Sequence, residues 1–502
     1  MTETEIGSIV NRFCASPRPM LIGDQWLEAT DGGIIDVVDP ATGQAFASVH
    51  AAGAVEVDRA VRAAVAAGTA GPWRRATPVD RTRMLWRLAD LIEQHGAELA
   101  LLTVREQGKP LGLAEGLDVA GSAETLRYYA GWCTKLEGTT ISASLPDERP
   151  PGALGPAYHA YSLREPVGVV AAIVPWNVPL LMAVAKLGPA LAAGCTVVLK
   201  PAEETPLTAL RLGELILEAG FPPGVVNVIP GLGHITGAAL VDHPAVDKIA
   251  FTGSTEVGKR IVAASSHDLK RVTLELGGKS PLVVFADADL EAAADAAALS
   301  IFVNSGQMCF ACSRLFVEAP VHDEFLDLVA ARAAAMPIGP GDRDATEIGP
   351  LISAAQRDRV MEYIRSGTSD GAELVAGGRA VDGDGFFVEP TIFRNSNTAA
   401  RIFREEIFGP VLVSSPFIDL GDALRLANDT TYGLAASVFT KDLSTAHTMA
   451  GAMDAGMVWV NCMLALDENL PFGGFKQSGL GYEGSHQGVA EYLRSKSVVV
   501  QL

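Results

Sequence analysis

Between residues 57 and 107 the apolar positions recur at helical spacing among Ala, Leu, Arg and Glu, the pattern of amphipathic helices with one buried face. From residue 167 the pattern changes. Short β-branched runs alternate with helical stretches, and residues 167–174, 196–199, 225–229 and 248–251 are predominantly apolar, as strands covered on both faces of a parallel sheet are. Residues 206–219 and 255–264 read as crossover helices between them. This alternation predicts an α/β fold with a Rossmann-like dinucleotide-binding domain. A second α/β alternation begins at 282–285 and continues to about residue 478. The Gly- and Pro-rich stretch around 144–157 and the closing SKSVVVQL at 495–502 are poor as independent cores.

The bulk composition narrows the classes. With 502 residues, 48% hydrophobic and 20% charged, the chain has material for about two to four domains with ample core. A formal charge of −20 repels polyanions, which argues against nucleic-acid or anionic-membrane partners, so an anionic cofactor must be held by local geometry. The apolar run at 167–175 is far shorter than the ~20 residues that cross a bilayer, and the N-terminal MTETEIG is acidic where a signal peptide is basic. A cytoplasmic protein is expected. Six scattered cysteines and nine histidines without ligand spacing support neither a disulfide scaffold nor a metal site.

Within this background one thiol stands out. Cys309 lies in GQMCFACSR at 306–314, between polar and flexible flanks, and Glu275 lies upstream in LELGGKSP at 274–281, followed by Gly277 and Gly278, which let backbone approach a ligand closely. A thiol and a carboxylate that meet in space make an activated nucleophile. Cys312, three residues on, allows a reversible Cys309–Cys312 disulfide as a protective or silencing device.

Seven strings occur in register: PWNVPLLM at 175–182, KPAEETP at 200–206, FTGSTEVG at 251–258, LELGGKSP, GQMCFACSR, EEIFGP at 405–410 and PFGGFKQSG at 471–479. Together they resemble the aldehyde dehydrogenase superfamily, of the NAD(P)-dependent, non-acylating type, from roughly residue 20 onward. The resemblance implies a dinucleotide-binding domain over 1–143 and 167–275, an α/β catalytic domain over 276–480, and a small β oligomerisation arm over 144–166 and 481–502. It further implies a homodimer or homotetramer in which the arm extends a neighbouring subunit's sheet.

By the same resemblance, Cys309 adds to the aldehyde, Glu275 activates the water that hydrolyses the resulting thioester, and Asn177 with the Cys309 amide holds the oxyanion. Asn177 alone would read as a turn residue between Trp176 and Pro179. Lys186 and Glu483 occupy positions that relay a proton in many relatives, although an ion pair or helix cap would look the same in sequence. Lys200 and Glu203 resemble ligands of the adenosine ribose. A carboxylate accepts from a 2′-hydroxyl and repels a 2′-phosphate, so Glu203 predicts NAD over NADP. Gly253 and Ser254 stand at a strand-to-helix junction suited to a pyrophosphate, without a GxGxxG fingerprint. Trp176, Gly277, Glu406 and Phe408 complete the implied nicotinamide side. After Gly481 this chain has Tyr482 where relatives usually have Arg.

The resemblance places Val178, Met182, Ala185, Met308, Phe310, Leu466 and Phe472 around the aldehyde tunnel, an apolar set with Ala185 where many relatives have a larger residue. A medium or large hydrophobic aldehyde, aromatic ones included, is expected as the small-molecule partner. Ala185 and Val303 stand where semialdehyde enzymes of the family place arginines, and residues 462–472 offer Phe472 but no Trp for a quaternary ammonium. The alternatives are a coenzyme A-acylating relative, a semialdehyde or betaine-aldehyde dehydrogenase, and a protein that kept the fold without the chemistry.

Overall fold

The computed structural model describes residues 3–395 and 397–502. Two large sheets organise them. The first has eight strands in the order Gly479–Leu480, Arg271–Glu275, Lys248–Thr252, Val169–Ile173, Thr196–Lys200, Val226–Val228, Met20–Ile22 and Gln25–Leu27. Its five central strands are parallel, and the first four of them in chain order start and end within two residues of the runs read from the sequence. Burial on both faces explains why these runs are predominantly apolar: every residue of Val169–Ile173, Thr196–Lys200 and Lys248–Thr252 is buried. The first strand begins at Val169 and not at 167 because Gly168 takes φ 129°, a left-handed turn against Asp247. Helices Leu207–Glu218 and Thr255–Ser265 are the crossovers.

The second sheet has seven strands, ordered Glu373–Ala376, Thr391–Arg394, Val411–Phe417, Arg314–Glu318, Pro281–Val284, Ala435–Phe439 and Met457–Val460. All but the first are parallel to their neighbours. Helix Leu290–Phe302 leaves the strand Pro281–Val284 and leads into the Cys309 loop.

A third sheet joins Thr140–Ile141, Tyr158–Pro166 and Leu493–Gln501, the last two in a nine-residue antiparallel ladder. Sheet membership crosses the divisions expected from sequence. Gly479–Leu480 pairs with Arg271–Glu275 in the first sheet, and residues 483–492 fold against the protein body, where Val489 and Tyr492 are buried, before the ladder begins at Leu493.

Among the described residues no helix is long and apolar enough to cross a membrane. No group of three or more His, Cys, Asp or Glu among them is arranged to hold a metal ion.

Candidate active site

The strand order of the first sheet reverses between Val169–Ile173 and Lys248–Thr252, because the chain runs outward on one side and then returns to the other. Loops leaving the carboxyl ends of such strands diverge, and the crevice between them is where open α/β sheets bind ligands. Here Pro175–Asn177 leave the first of these strands, Thr252–Ser254 end and follow the second, and Glu275–Gly277 end and follow the third. Together with Met308–Phe310 they line a cavity of about 310 Å³.

The loop that delivers Cys309 is held in an unusual shape. Asn304, Ser305 and Gly306 have φ of 51°, 56° and 74°, three consecutive left-handed residues directly after the helix Leu290–Phe302. Such backbone persists only where its surroundings over-determine it. Ser305 Oγ donates to the Gly349 carbonyl at 2.7 Å, Gln307 Oε1 accepts from the Ile352 amide at 2.9 Å, and Gln307 Nε2 donates to the Asn304 carbonyl at 3.1 Å. A side chain at Gly306 would collide with the Gly409 carbonyl. The Gly277–Gly278 pair meets protein groups as closely: a Cβ at Gly277 would strike the Glu406 carboxylate, and one at Gly278 would lie 2.6 Å from the Cys309 carbonyl oxygen.

Asn177 is buried beside this loop, and its Nδ2 donates to the Gln307 carbonyl at 2.9 Å. An amide nitrogen has two hydrogens, so one remains for another acceptor. Its own carbonyl accepts from Asn304 Nδ2 at 3.0 Å, which ties the two sides of the crevice together.

The titratable groups are strongly perturbed. Burial, then the nearby Glu275 and Glu406 carboxylates, push the Cys309 thiol up to about 12, while the Phe310 and Cys309 amides favour the thiolate. Burial pushes Glu275 up to about 8 against the opposing pull of Lys186, and its buried Oε2 has no hydrogen-bond partner. A carboxyl that titrates near neutrality beside a thiol has the properties of a general base. Burial lowers Lys186 to about 7; its Nζ donates to Thr252 Oγ1 at 2.7 Å and pairs with the Glu483 carboxylate. Lys186 is fully buried and the Glu483 side chain is 13% exposed, so the pair leads from the interior towards solvent.

Residues read as cofactor ligands fall in two places. Trp176, Gly253, Ser254, Gly277, Glu406 and Phe408 line the cavity. Trp176 and Phe408 meet edge-on with ring centroids 5.3 Å apart, and Glu406 Oε1 accepts from the Gly278 amide at 3.1 Å. Ser254 Oγ caps the helix Thr255–Ser265 by accepting from the Val257 amide at 3.3 Å. Lys200 and Glu203 lie outside the cavity lining. Lys200 Nζ donates to Glu203 Oε2 at 3.0 Å, and Glu203 Oε1 accepts from the Gly233 amide at 3.2 Å. Burial opposes ionisation of Glu203, but Lys200 and the surrounding amides outweigh it and hold the carboxyl below its usual range.

Of the tunnel residues, Val178, Met182, Met308 and Phe310 line the cavity. Phe472 is half-buried, with its ring 6.5 Å from that of Phe310. Ala185 sits one turn beyond Met182 on helix Pro179–Ala193, and Leu466 is 46% exposed on a surface loop. Cys312 is buried beside Met463, its thiol pushed up to about 12 by burial, and all six cysteines are unbonded. The Cys309 and Cys312 thiols are both free in this structure.

Residues 26–498 match the model of the aldehyde dehydrogenase family. The chain belongs to the aldehyde dehydrogenase family. It is 48% identical over 486 residues to a phenylacetaldehyde dehydrogenase of Pseudomonas fluorescens, covering 96% of both chains. It is 46% identical over 485 residues to retinal dehydrogenase 2 of Gallus gallus, covering 96% of this chain and 92% of that one. A solved mutant of a P. syringae indole-3-acetaldehyde dehydrogenase, in complex with NAD+ and IAA, superposes with a TM-score of 0.94 at 43% identity over the full length of both chains.

In this aldehyde dehydrogenase, residues that the sequence did not single out also line or brace the cavity. Gln356 and Arg359 line the cavity from helix Ala354–Ser369; Gln356 Nε2 donates to the Phe408 carbonyl at 2.8 Å and steadies a residue with φ 59°, while Arg359 donates to the Glu406 carbonyl at 3.0 Å. Their i, i+3 spacing on one helix face was the available signal. Thr252 beneath Lys186 and Gln307 behind Cys309 gave none, since their partners are distant in sequence.

Proposed function

We propose that this enzyme oxidises a medium or large hydrophobic aldehyde, preferably an aromatic one, to its carboxylic acid with NAD. The observation that carries this reading is the buried Glu275, with one carboxylate oxygen unpartnered, in the same cavity as Cys309 and Asn177. The wall formed by Val178, Met182, Met308 and Phe310 is uncharged, which suits an apolar substrate and offers nothing to a second carboxylate. Names borne by the relatives, phenylacetaldehyde, retinal and indole-3-acetaldehyde dehydrogenases, support the same substrate class.

The residues present fit NAD. Gly277 leaves the Glu406 carboxylate open where any side chain would cover it, and the capped helix Thr255–Ser265 presents its first-turn amides for an anion. Lys200 and the ionised Glu203 would hold the adenosine ribose; Gly253 and Ser254 the pyrophosphate; Trp176, Glu406 and Phe408 the nicotinamide side. When bound, NAD supplies the acceptor for the hydrogen and electron pair that leave the aldehyde carbon.

The chain's own groups divide the rest. Cys309, having lost its proton to Glu275 or to water, adds to the aldehyde carbon as thiolate and forms a thiohemiacetal. The oxygen that becomes negative is held by the free N–H of Asn177 Nδ2 and by the Cys309 amide. Loss of the hydrogen leaves a thioester on Cys309. Glu275 then takes a proton from the attacking water, and collapse of the adduct releases the acid and restores the thiol. Lys186 and Glu483 pass the collected proton outward. Asn177→Ala should lower kcat by about 10²–10³ with little change in the KM for NAD, read by steady-state kinetics.

The acylating alternative needs no hydrolytic base. The test is formation of reduced nicotinamide by the purified enzyme over short aliphatic, aromatic and carboxylated aldehydes, with NAD and NADP in parallel and without coenzyme A. Turnover of aromatic aldehydes with NAD is expected, and Glu203→Gln should narrow the NAD preference by about tenfold by removing the charge that repels a 2′-phosphate. Turnover only on adding coenzyme A would replace this reading with the acylating one.

Two further features belong to the proposal. The ladder Tyr158–Pro166 with Leu493–Gln501 leaves Leu163, Val499 and Val500 exposed, apolar positions that a second subunit would cover in a homodimer or homotetramer. Six unbonded cysteines suit a reducing compartment such as the cytoplasm.

A further inference from the structure

Two separate walls stand against the apolar cluster on which Cys309 packs. One is the segment Ala114–Ala120 with the helix Gly121–Trp132 that continues it; the other is the loop from Asn461 to Phe472. Leu117 from the first wall and Met463, Leu464 and Phe472 from the second pack on the same apolar cluster, which includes Phe310 and Met308.

The loop is anchored at both ends. Trp459 Nε1 donates to the Ala465 carbonyl at 2.9 Å, and Phe472 exchanges two backbone hydrogen bonds with Glu483, at 2.8 and 2.7 Å. Between these anchors the Ser485 amide donates to the Glu468 carbonyl at 2.7 Å. Asn461 and Leu464 have φ of 54° and 60°, so the loop departs from relaxed backbone and needs such ties to keep its shape.

One side-chain contact crosses from wall to wall. Thr125 Oγ1 lies 2.6 Å from Glu468 Oε1 and 2.8 Å from the Gly121 carbonyl, so its single proton is shared between the helix and the loop. We propose that Thr125 and Glu468 form a latch that fixes the spacing of these two walls and makes both residues determinants of substrate size. Neither touches the reacting atoms, and both are positioning residues. Resting on the proposed aldehyde oxidation, the idea adds what sets its substrate range. A large ring-bearing aldehyde needs both walls at once to bury its surface, whereas a two- or three-carbon aldehyde reaches Cys309 without leaning on either.

The experiment compares Thr125→Val, Glu468→Ala, Glu468→Gln and Thr125→Val/Glu468→Ala on propanal and phenylacetaldehyde. Glu468→Ala and Thr125→Val should each raise the KM for phenylacetaldehyde about fivefold or more, the scale of one lost hydrogen bond, while kcat on both aldehydes and the KM for propanal stay within twofold. Glu468→Gln, which keeps a hydrogen-bonding group of the same shape, should behave as the unmodified enzyme. The double variant should be no worse than either single one, because the two residues serve one contact. Equal losses on both aldehydes, or no change on either, overturn the latch.

Calorimetric titration with phenylacetamide, a neutral carbonyl analogue, separates this idea from the activity it rests on. Failure of the unmodified protein to turn over any aldehyde counts against the proposed reaction. Unchanged phenylacetamide affinity in Glu468→Ala, or no binding to the unmodified protein, counts against the latch.

Discussion

Cys309→Ala should abolish aldehyde oxidation, with a fall in kcat on the order of 10⁵–10⁶, while the protein still folds and binds NAD. The scale follows from what the thiol does. An aldehyde carbon is a poor donor of its hydrogen until a nucleophile has made it tetrahedral, and no other group in the cavity can replace the sulfur in that addition. Cys309 is only partly buried and its side chain makes no hydrogen bond to another side chain, so truncation to alanine removes little packing. The measurement is the rate of reduced-nicotinamide formation beside a fluorescence titration with the dinucleotide. Lost binding would mean that the substitution damaged the crevice. Retained turnover would transfer the nucleophile's role elsewhere.

Glu275→Gln should be nearly as severe in steady state and quite different in the first turnover. Without a base for water the thioester forms and then persists, so rapid mixing should show a burst of reduced nicotinamide approaching one equivalent per site, followed by turnover slower by about 10²–10⁴. The unmodified enzyme adds a check through pH. Burial raises the Glu275 carboxyl to about 8, so in the free protein the base is protonated and idle well below that pH and becomes available as pH rises through it. The hydrolytic rate should therefore climb between about pH 7 and 9, and the climb should vanish in Glu275→Gln. A bound cation or a closer Lys186 would move the midpoint down, since the ammonium opposes the rise caused by burial.

The parts of the molecule that depend on local pattern were legible. Strands covered on both faces are predominantly apolar, so the positions of four of them stood in the sequence to within about two residues. The alternation pointed to a parallel sheet, but the place where its loops diverge follows from the strand order, which only the structure gives. Cys309 and Glu275 stood out because small and polar residues lie beside them, whereas Asn177, between Trp176 and Val178, was singled out through the family resemblance.

What was hidden depends on tertiary partners. Lys109 and Asp118 would be assigned to the surface on composition, yet they are a wholly buried ion pair, and the Leu180 and Leu181 amides help to hold the Asp118 carboxylate just beyond Asn177. Three left-handed residues ahead of Gln307 have no sequence signature except Gly306, since Asn304 is held by a hydrogen bond to the Asn177 carbonyl and Ser305 by one to the Gly349 carbonyl. The tunnel was the weakest reading. A family position fixes which loop Leu466 belongs to but not how far that loop turns its side chains outward.

The short strand Gly479–Leu480 has a consequence for how this protein is made. It closes the first sheet beside Arg271–Glu275, the strand that ends in Glu275 itself, yet the entire second sheet is encoded between the two. On the ribosome, the first sheet therefore waits with an unpaired edge until nearly the whole polypeptide has emerged. An open edge of that kind is a template for pairing with other chains. Splitting the gene between its two α/β halves should yield an aggregating N-terminal fragment, and recruitment of chaperones to the nascent chain should persist until residue 480 has left the exit tunnel.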